Sequence, residues 1–373
     1  MMAREAIVLR VPAAAPDDVS GIESAFKAGL DSRNVVAILG KTEGNGCVND
    51  FTRAFAVSAL HRLMERHLPA GGADAISYVM SGGTEGALSP HLLLLARQDG
   101  ASSDGAGPAL AIGSAQTADL RPEDIGRVAQ VAQVAEGVRA AMGDASIGDA
   151  AEVHFVQIKC PLLTAGRVMD AEARGATAVT RDTLKSMGLS RGASALGVAV
   201  ALGEVELDAI TDEMIGRDPT LWSGRASTSA GVELMNHEIV VLGMSPAWTG
   251  PLAIDHAVMA DAIDVDPVRA ALRRLGFTFD GQLRGDEQGA LLALLAKAEA
   301  GGSGRLRGRR HTMLDDSDIS STRHARAFVG GVLAGLVGHS EIFVSGGAEH
   351  QGPDGGGPVA IIADRSRLAG AER

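Results

Sequence analysis

One pattern occurs three times in this chain: SGGTE at residues 81–85, SAGVE at residues 229–233 and SGGAE at residues 345–349. Each copy has a serine, a small residue, a glycine and then a glutamate, and there is roughly one copy in each third of the 373 residues. This spacing far exceeds the ~20–50 residues of solenoid repeats, so it indicates a few fused copies of one domain. We therefore predict three similar units that bring three serines to one place, around a small ligand with threefold character.

A lysine ends an apolar, strand-like run ahead of each serine, at Lys41, Lys159 and Lys297. A hydroxyl residue followed by an arginine lies between each lysine and its serine, and the arginines are Arg53, Arg191 and Arg323. The order lysine, arginine, serine is thus repeated three times. It predicts that each unit supplies one of each side chain to the common place.

The predicted fold class is α/β, built from mixed α+β repeats. Helical patterns such as residues 122–142 and 268–275 are expected to open the thirds, with strands following them. Short apolar runs after the serine motifs are expected to be edge or closing strands, at residues 109–112, 239–242 and 359–362. Connections rich in Gly, Pro and Ser divide the chain into predicted units at residues 1–105, 112–248 and 254–368.

Composition and charge argue against several classes of function. The net charge of −12 lacks the clustered Lys and Arg of a nucleic-acid-binding protein. Only Cys47 and Cys160 are present, too few for a disulfide framework, which favours a reducing cytoplasm. No run of 18 apolar residues occurs, and residues 1–12 lack a signal-peptide core, so neither a membrane span nor secretion is expected.

The repeated residues suit acyl-transfer chemistry. A serine becomes nucleophilic when a neighbouring base takes its proton, and a neutral lysine can be that base. Burial and nearby like charges both lower a lysine pKa towards neutrality. The small residue after each serine leaves a backbone N–H free to bind a developing oxyanion. The glutamates Glu85, Glu233 and Glu349 could orient the lysines or form structural salt bridges, and both roles stay open.

Several other motifs fail on inspection. The sequence around Lys41 ends like a phosphate-binding loop, but Val35 stands where that loop requires glycine. No His-x-His or His-Glu-x-x-His pair supports a zinc site, and no Gly-x-Ser-x-Gly elbow surrounds the three serines. The loop QGPDGGG at residues 351–357 fits either an ion or substrate site lined by backbone groups, or a glycine turn with unusual φ values.

Longer segments resemble the cyanuric acid hydrolase/barbiturase family over residues 5–365. They are GKTEGNGCVND at 40–50, MSGGTEGALSPH at 80–91, residues 156–163, RRHTMLDDSDISSTRHAR at 309–326 and VSGGAEHQGPDGGGP at 344–358. The resemblance implies three repeats around a pseudo-threefold axis, an active site on that axis and a homotetramer. It also implies hydrolytic ring opening of cyanuric acid to 1-carboxybiuret, which then loses CO₂ to give biuret.

The same resemblance assigns roles to residues. It pairs Lys41 with Ser81, Lys159 with Ser229, and Lys297 with Ser345, and it gives the chemistry to the middle pair, with Ser229 as nucleophile and Lys159 as base. Substrate binding falls to the remaining residues of the three sets: Lys41, Arg53, Ser81, Gly82, Arg191, Ala230, Lys297, Arg323, Ser345 and Gly346.

A structural divalent cation is also implied, and no organic cofactor. The resemblance maps its ligands to Glu299, Ala348, Gln351, Gly352, Pro353 and Gly356. One carboxylate with several backbone carbonyls suits a hard ion such as Mg²⁺ or Ca²⁺.

Two alternatives stay open at this point. Barbiturase, the close relative, acts on a ring in which CH₂ replaces one N–H, and Ser320 or Ser321 could select between the rings. The third SGGAE motif and the HTM and STRH stretches favour cyanuric acid. A noncatalytic binder of a cyclic imide, using the serines only as hydrogen-bond donors, is the alternative from a different class.

Overall fold

The structure, a computed structural model, describes residues 3–100 and 107–368. Its first sheet is built from four long strands, with one helix after each of the first two. The elements are β1 (Arg4–Pro12), α1 (Ser20–Lys27), β2 (Val35–Thr42), α2 (Phe51–His67), β3 (Ser77–Gly82) and β4 (His91–Asp99). The strand order is β3-β2-β4-β1, in which β2 and β3 are parallel and β4 is antiparallel to both neighbours.

The second sheet repeats this plan with an extra helix. Its elements are β5 (Ala109–Gln116), α3 (Val128–Asp144), β6 (Val153–Pro161), α4 (Ala165–Ala173), α5 (Thr183–Ala201), β7 (Ala226–Gly231) and β8 (Glu238–Ser245). The order is β5-β8-β6-β7, which is the order of the first sheet read from its other edge. A short strand, β9 (Trp248–Thr249), then pairs with β1 and ties the two sheets together.

The third sheet follows the same plan and adds a small hairpin. Its elements are β10 (Leu252–Met259), α6 (Asp266–Leu275), α7 (Asp286–Ala290), β11 (Leu291–Ala298), the hairpin β12 (Arg305–Leu306) and β13 (Arg309–Arg310), α8 (Ser321–Val337), β14 (Phe343–Gly346) and β15 (Gly357–Asp364). The sheet order is β10-β15-β11-β14. The α/β class and the threefold repeat predicted from the sequence are therefore confirmed.

Two details of the predicted repeat are wrong. Each repeat opens with a strand rather than a helix. Within residues 122–142, a 3₁₀ helix at Pro122–Asp124 precedes the α-helix, which begins only at Val128 because Gly126 adopts a left-handed φ of 76° between them. Of the three runs predicted to be edge or closing strands, 239–242 in β8 and 359–362 in β15 are central strands paired on both sides, whereas 109–112 in β5 lies at the edge of its sheet. Residues 109–112 belong to β5, which opens the second repeat.

The predicted unit boundaries fall inside strands at two places. The β5–β8 ladder extends to Ala109 opposite Ser245, ahead of the predicted start at residue 112. The β10–β15 ladder likewise begins at Leu252, ahead of residue 254. The predicted end at residue 105 lies outside the described residues. The division into 1–105, 112–248 and 254–368 otherwise stays a prediction.

Alternation along the strands divides the core into two layers. Ile38 on β2 packs with α2 residues such as Leu60, whereas Leu39 belongs to a core cluster shared by all three sheets. Because strand side chains alternate between faces, Lys41 is on the same face as Leu39, and Ser81 is on the same face as Val79 of that shared cluster. The sheets thus turn their lysines and serines towards one another.

Helix ends follow from local sequence. The Asp50 carboxylate accepts a hydrogen bond from Thr52 N at the start of α2, and α8 ends at Gly338, which has a left-handed φ of 80°. Within residues 3–100 and 107–368, no helix combines the length and apolar character needed to cross a bilayer.

Candidate active site

Three lysines face three serines across parallel strand pairs. Lys41 on β2 is in register with Ser81 on β3, Lys159 on β6 with Ser229 on β7, and Lys297 on β11 with Ser345 on β14. Register fixes these pairs because residues directly opposite each other on adjacent strands share a face. The three pairings predicted from the sequence are therefore present in the structure.

All six side chains are buried. Each lysine is 1% exposed and each serine is 7% exposed or less. Burial of an ammonium group is costly unless it is paired or loses its proton. The environment of each lysine therefore decides its charge.

The three serines line one small cavity. It lies where the three sheets meet. Its other walls come from the residues after the serines, from two loops and helices, and from three arginines, namely Gly82, Ala230, Gly346, Gly46, Met187, Arg53, Arg191 and Arg326. A small cyclic molecule with three polar edges would meet a serine and an arginine in each direction.

Backbone crowding explains one of the small residues beside the serines. A Cβ at Gly82 would lie 1.9 Å from Oδ2 of Asp50 and 2.8 Å from Cα of Gly46, so no side chain fits there. Ala230 holds the corresponding place after Ser229 and is fully buried. The second unit thus differs from the first at the wall of the cavity itself.

The arginines behave differently from one another. Arg53 donates to the carbonyls of Cys47 at 2.6 Å and Ala230 at 3.3 Å, so it reaches from α2 to the serine strand of the second sheet. Arg191 on α5 donates to both carboxylate oxygens of Glu349, at 2.8 and 2.6 Å. Both line the cavity, as predicted.

The third predicted arginine is placed elsewhere. Arg323 lies in a wider cleft outside the cavity, and its side chain is 40% exposed. Arg326, one helical turn later on α8, lines the cavity instead and is 3% exposed. The sequence reasoning missed Arg326 because its position has no counterpart in the other two repeats. The quoted segment 309–326 contains it, at the i+3 spacing that puts it on the same helix face.

The two outer lysines hydrogen-bond to their own serines. Lys41 donates to Ser81 Oγ at 3.3 Å and to the Gly82 carbonyl at 3.1 Å. Lys297 donates to Ser345 Oγ and to the Thr228 carbonyl, both at 3.1 Å. Burial, and then the charge of Arg326, lower the pKa of Lys41 well below its usual value. Burial, and then Arg191, lower the pKa of Lys297 to about 7.

The middle pair is different. Lys159 Nζ lies 2.6 Å from the carboxylate of Glu233, whose side chain is 24% exposed. No hydrogen bond joins Lys159 to Ser229 in the part of the chain that the structure describes. Burial alone would raise the pKa of Glu233, but the charge and hydrogen bond of Lys159 lower it to about 2. Glu233 is therefore a carboxylate in an ion pair with Lys159, which is compatible with both of the roles left open by the sequence.

The other two motif glutamates are salt-bridge partners of arginines. Glu85 binds Arg326 and, at 3.3 Å, Arg323, while Glu349 binds Arg191. Although burial raises their pKa values, these arginines hold both below the usual range. Each glutamate thus joins two repeats across the cavity.

The residues mapped to a cation lie together beside Ser345. Glu299 is half-buried directly after the end of β11, and its carboxylate accepts hydrogen bonds from the backbone N–H groups of Ala300 and Ala348. No Lys, Arg or His pairs with Glu299 among the described residues, and burial raises its pKa. A half-buried carboxylate without a paired cationic side chain, next to loop carbonyls, fits a hard divalent cation.

The side chain of Gln351 is occupied by hydrogen bonds within the protein. Its Oε1 accepts from Thr228 N at 2.7 Å, and its Nε2 donates to the carbonyls of Gly347 and Glu349. Only its backbone carbonyl is left for a cation. Gln351 therefore connects the proposed ion loop to the strand that carries Ser229, a link that the sequence did not predict.

A separate cluster lies between the second and third sheets, away from the cavity. His154 and His256 approach to 2.9 Å between their Nδ1 atoms, with Asp255 beside them. Arg274 already binds both oxygens of Asp255, at 2.6 and 3.1 Å. The cluster is best described as a hydrogen-bonded contact between two repeats.

The fold and cavity define a class of protein: three concatenated α/β units that share one central site with three Ser/Lys pairs. A model of the amidohydrolase ring-opening protein family matches residues 7–364. The chain belongs to this family.

Individual relatives are similar to this chain over nearly its full length. The cyanuric acid amidohydrolase of Bradyrhizobium sp. (strain ORS 375) is 62% identical over 97% of this chain and 99% of that protein. The same enzyme of Azorhizobium caulinodans is 62% identical over 96% and 98% of the two chains. A crystal structure of cyanuric acid hydrolase from A. caulinodans superposes with a TM-score of 0.90 at 61% identity, over 97% of this chain and 99% of that one.

Proposed function

We propose that this protein hydrolyses cyanuric acid by opening its ring at one amide bond. The observation that carries this proposal is the set of three Ser/Lys pairs, in register on three repeats, around one small cavity. Cyanuric acid presents three equivalent carbonyls, which match the three directions of that cavity. The names of the similar full-length proteins support the same substrate.

In the proposed reaction, the Lys159 ammonium first loses a proton to solvent, and Ser229 then attacks one ring carbonyl while the neutral lysine takes the serine's proton. The carbonyl oxygen becomes an oxyanion, and the backbone N–H groups that follow the serine would donate hydrogen bonds to it. Lys159 then returns its proton to the ring nitrogen as the C–N bond breaks. Water hydrolyses the resulting acyl-enzyme by the same route, releasing 1-carboxybiuret, which loses CO₂ to give biuret.

The other two serines would hold the ring. Ser81 and Ser345 accept hydrogen bonds from Lys41 and Lys297, so each hydroxyl proton is free to point at a ring carbonyl. Arg53, Arg191 and Arg326 add charged donors between the serines. Arg323, at the mouth of the wider cleft, would act on substrate only at the entrance.

We also propose a structural divalent cation, Mg²⁺ or Ca²⁺. It would be held by the carboxylate of Glu299 and by backbone carbonyls of Ala348, Gln351, Gly352, Pro353 and Gly356. When bound, it would supply positive charge that neutralises Glu299. Through the loop it would steady Ser345, and through Gln351 it would steady the strand of Ser229.

The test is to incubate the purified protein with cyanuric acid and, separately, with barbituric acid, and to follow biuret and ureidomalonate by mass spectrometry. We expect turnover of cyanuric acid and little of barbituric acid. The reverse preference would make the protein a barbiturase. Calorimetric binding of cyanuric acid without any product would favour the noncatalytic binder.

Assembly and location stay predictions. The resemblance implies a homotetramer, and light scattering on the purified protein should give four times the mass of one 38.2 kDa chain. A mass of one chain would contradict that expectation. No nucleic-acid or membrane partner is proposed, and a cytoplasmic location is expected.

A further inference from the structure

The three motif glutamates should have equivalent partners if the threefold pattern were complete. Glu85 of the first repeat binds arginines of the third, and Glu349 of the third binds Arg191 of the second. Continuing this cycle, Glu233 of the second repeat should bind Arg53 of the first.

The cycle is broken at that step. Arg53 turns to the carbonyls of Cys47 and Ala230, with Asp50 3.8 Å from its Nε. Glu233 pairs with Lys159 of its own repeat instead, at 2.6 Å. Among the described residues, no arginine forms an ion pair with Glu233. One carboxylate of the three is thus available to a lysine.

We propose that Glu233 is a positioning residue for Lys159, which it holds beside Ser229 and whose ammonium form it stabilises once the serine's proton has been transferred. This inference rests on the proposed function, in which Lys159 is the base. The proton moves from Ser229 Oγ to Lys159 Nζ and later to the ring nitrogen, and Glu233 remains ionised throughout. The role corresponds to that of the acid in a Ser-His-Asp triad.

Charge explains why only the middle pair would work this way. Arginines neutralise Glu85 and Glu349, so neither of these two motif glutamates is free to pair with an ammonium at Lys41 or Lys297. Burial and nearby arginines lower the pKa of both lysines, so their ammonium forms are disfavoured rather than stabilised. Lys159 has a carboxylate in contact, so its protonated form is stabilised when it is needed.

Other charged groups surround this ion pair. Glu238 on β8 is in register with Lys159, Arg53 faces Glu233 from α2, and Arg167 on α4 donates to the carbonyls of Val232 and Leu234 beside Glu233. These groups set the local potential in the parent and in every variant alike. Removing Glu233 alone therefore isolates its contribution.

The test is the pH dependence of kcat/KM in Glu233→Gln. The activity of an enzyme that needs a deprotonated base rises with pH along an ascending limb. Without the counter-charge, the ascending limb should move to lower pH by about 1 to 3 units. The plateau should fall about 10²-fold, because a less stabilised ammonium makes a weaker base. Glu233→Asp should restore part of both effects.

Glu85→Gln and Glu349→Gln are matched controls at the equivalent positions. They are expected to leave the ascending limb where it is, whatever they do to KM. A parental limb and plateau in Glu233→Gln would overturn the inference, and so would an equal shift in Glu349→Gln. If Glu233→Gln failed to fold, Glu233→Ala would serve: its limb should also move to lower pH, and a parental limb would contradict the role.

Failure of the wider proposal would look different. If Ser229→Ala protein turned over cyanuric acid at the parental rate, the middle pair would not carry the chemistry at all. If Glu233→Gln kept the parental pH dependence while Ser229→Ala was inactive, only the role of Glu233 would be refuted. The assignment of Ser229 as nucleophile would stand.

Discussion

Arg326 lies one helical turn after Arg323 on α8, and both side chains bind Glu85, but only Arg326 reaches the cavity. The two arginines can be compared directly, because they share the same helix, the same carboxylate partner and the same charge. They differ in their position relative to the cavity. It follows that the third substrate-binding arginine should be Arg326 rather than Arg323.

We predict that Arg326→Ala raises KM for cyanuric acid by about tenfold or more, since a charged donor lost from a buried site costs roughly 1.5–3 kcal/mol. Arg323→Ala, at a side chain that is 40% exposed, should raise KM by less than about threefold. Steady-state kinetics on the two variants decides between them. Equal effects would mean that both arginines touch substrate, and a larger effect of Arg323→Ala would restore the sequence-based assignment.

Removal of the proposed cation should lower thermal stability. Chelation of the parent should reduce the unfolding midpoint, and Mg²⁺ or Ca²⁺ should restore it, because a ligand that binds only the folded state stabilises it. Glu299→Gln removes the one carboxylate mapped to the ion, so its midpoint should no longer respond to chelator.

Asp354→Asn is the control for that experiment. Asp354 lies in the same loop, but its carboxylate accepts from Gly302 N and is not among the mapped ligands. Its midpoint should keep the parental response to chelator, as followed by differential scanning fluorimetry. A parental response in Glu299→Gln would place the ion elsewhere.

Glu238 should make stability depend on pH near neutrality. Burial raises the pKa of Glu238 to about 7 from its ordinary value of 4.5. Because the folded pKa is the higher one, the folded protein holds a proton that the unfolded chain has released between these values. The contribution of Glu238 to stability is therefore fully present below about pH 4.5 and is lost as pH rises through about 7.

Glu238→Gln should cancel this loss. Its free energy of unfolding, from urea titrations, should exceed that of the parent more at pH 8 than at pH 5. A constant difference between Glu238→Gln and parent across this range would contradict the prediction.

Much of the fold was accessible from sequence because the repeat is explicit in it. The lysine before each serine sits on a buried strand, and the parallel pairing puts Lys41 opposite Ser81 without further information. What composition and spacing did not show is that each repeat opens with a strand. β1 is only partly buried and carries Arg4, Glu5 and Arg10, so its hydrophobic pattern is weak.

The site was predictable where threefold symmetry holds and not where it breaks. Equivalent positions identify Arg53 and Arg191, but Arg326 has no equivalent, and its role depends on a side chain direction set by α8. The choice of partner by Glu233 is likewise invisible in sequence, because its motif matches the other two. It depends on where Arg53 turns its guanidinium.

The central claim is that one serine of three, Ser229, forms the covalent bond. The most direct measurement is turnover of cyanuric acid by Ser229→Ala, Ser81→Ala and Ser345→Ala, combined with peptide mass spectrometry of acid-quenched parent enzyme. The account predicts that Ser229→Ala loses turnover by about 10³-fold or more while still binding the ring, and that the acyl group is found on Ser229. Parental turnover by Ser229→Ala, or an acyl group on Ser81 or Ser345, would contradict it.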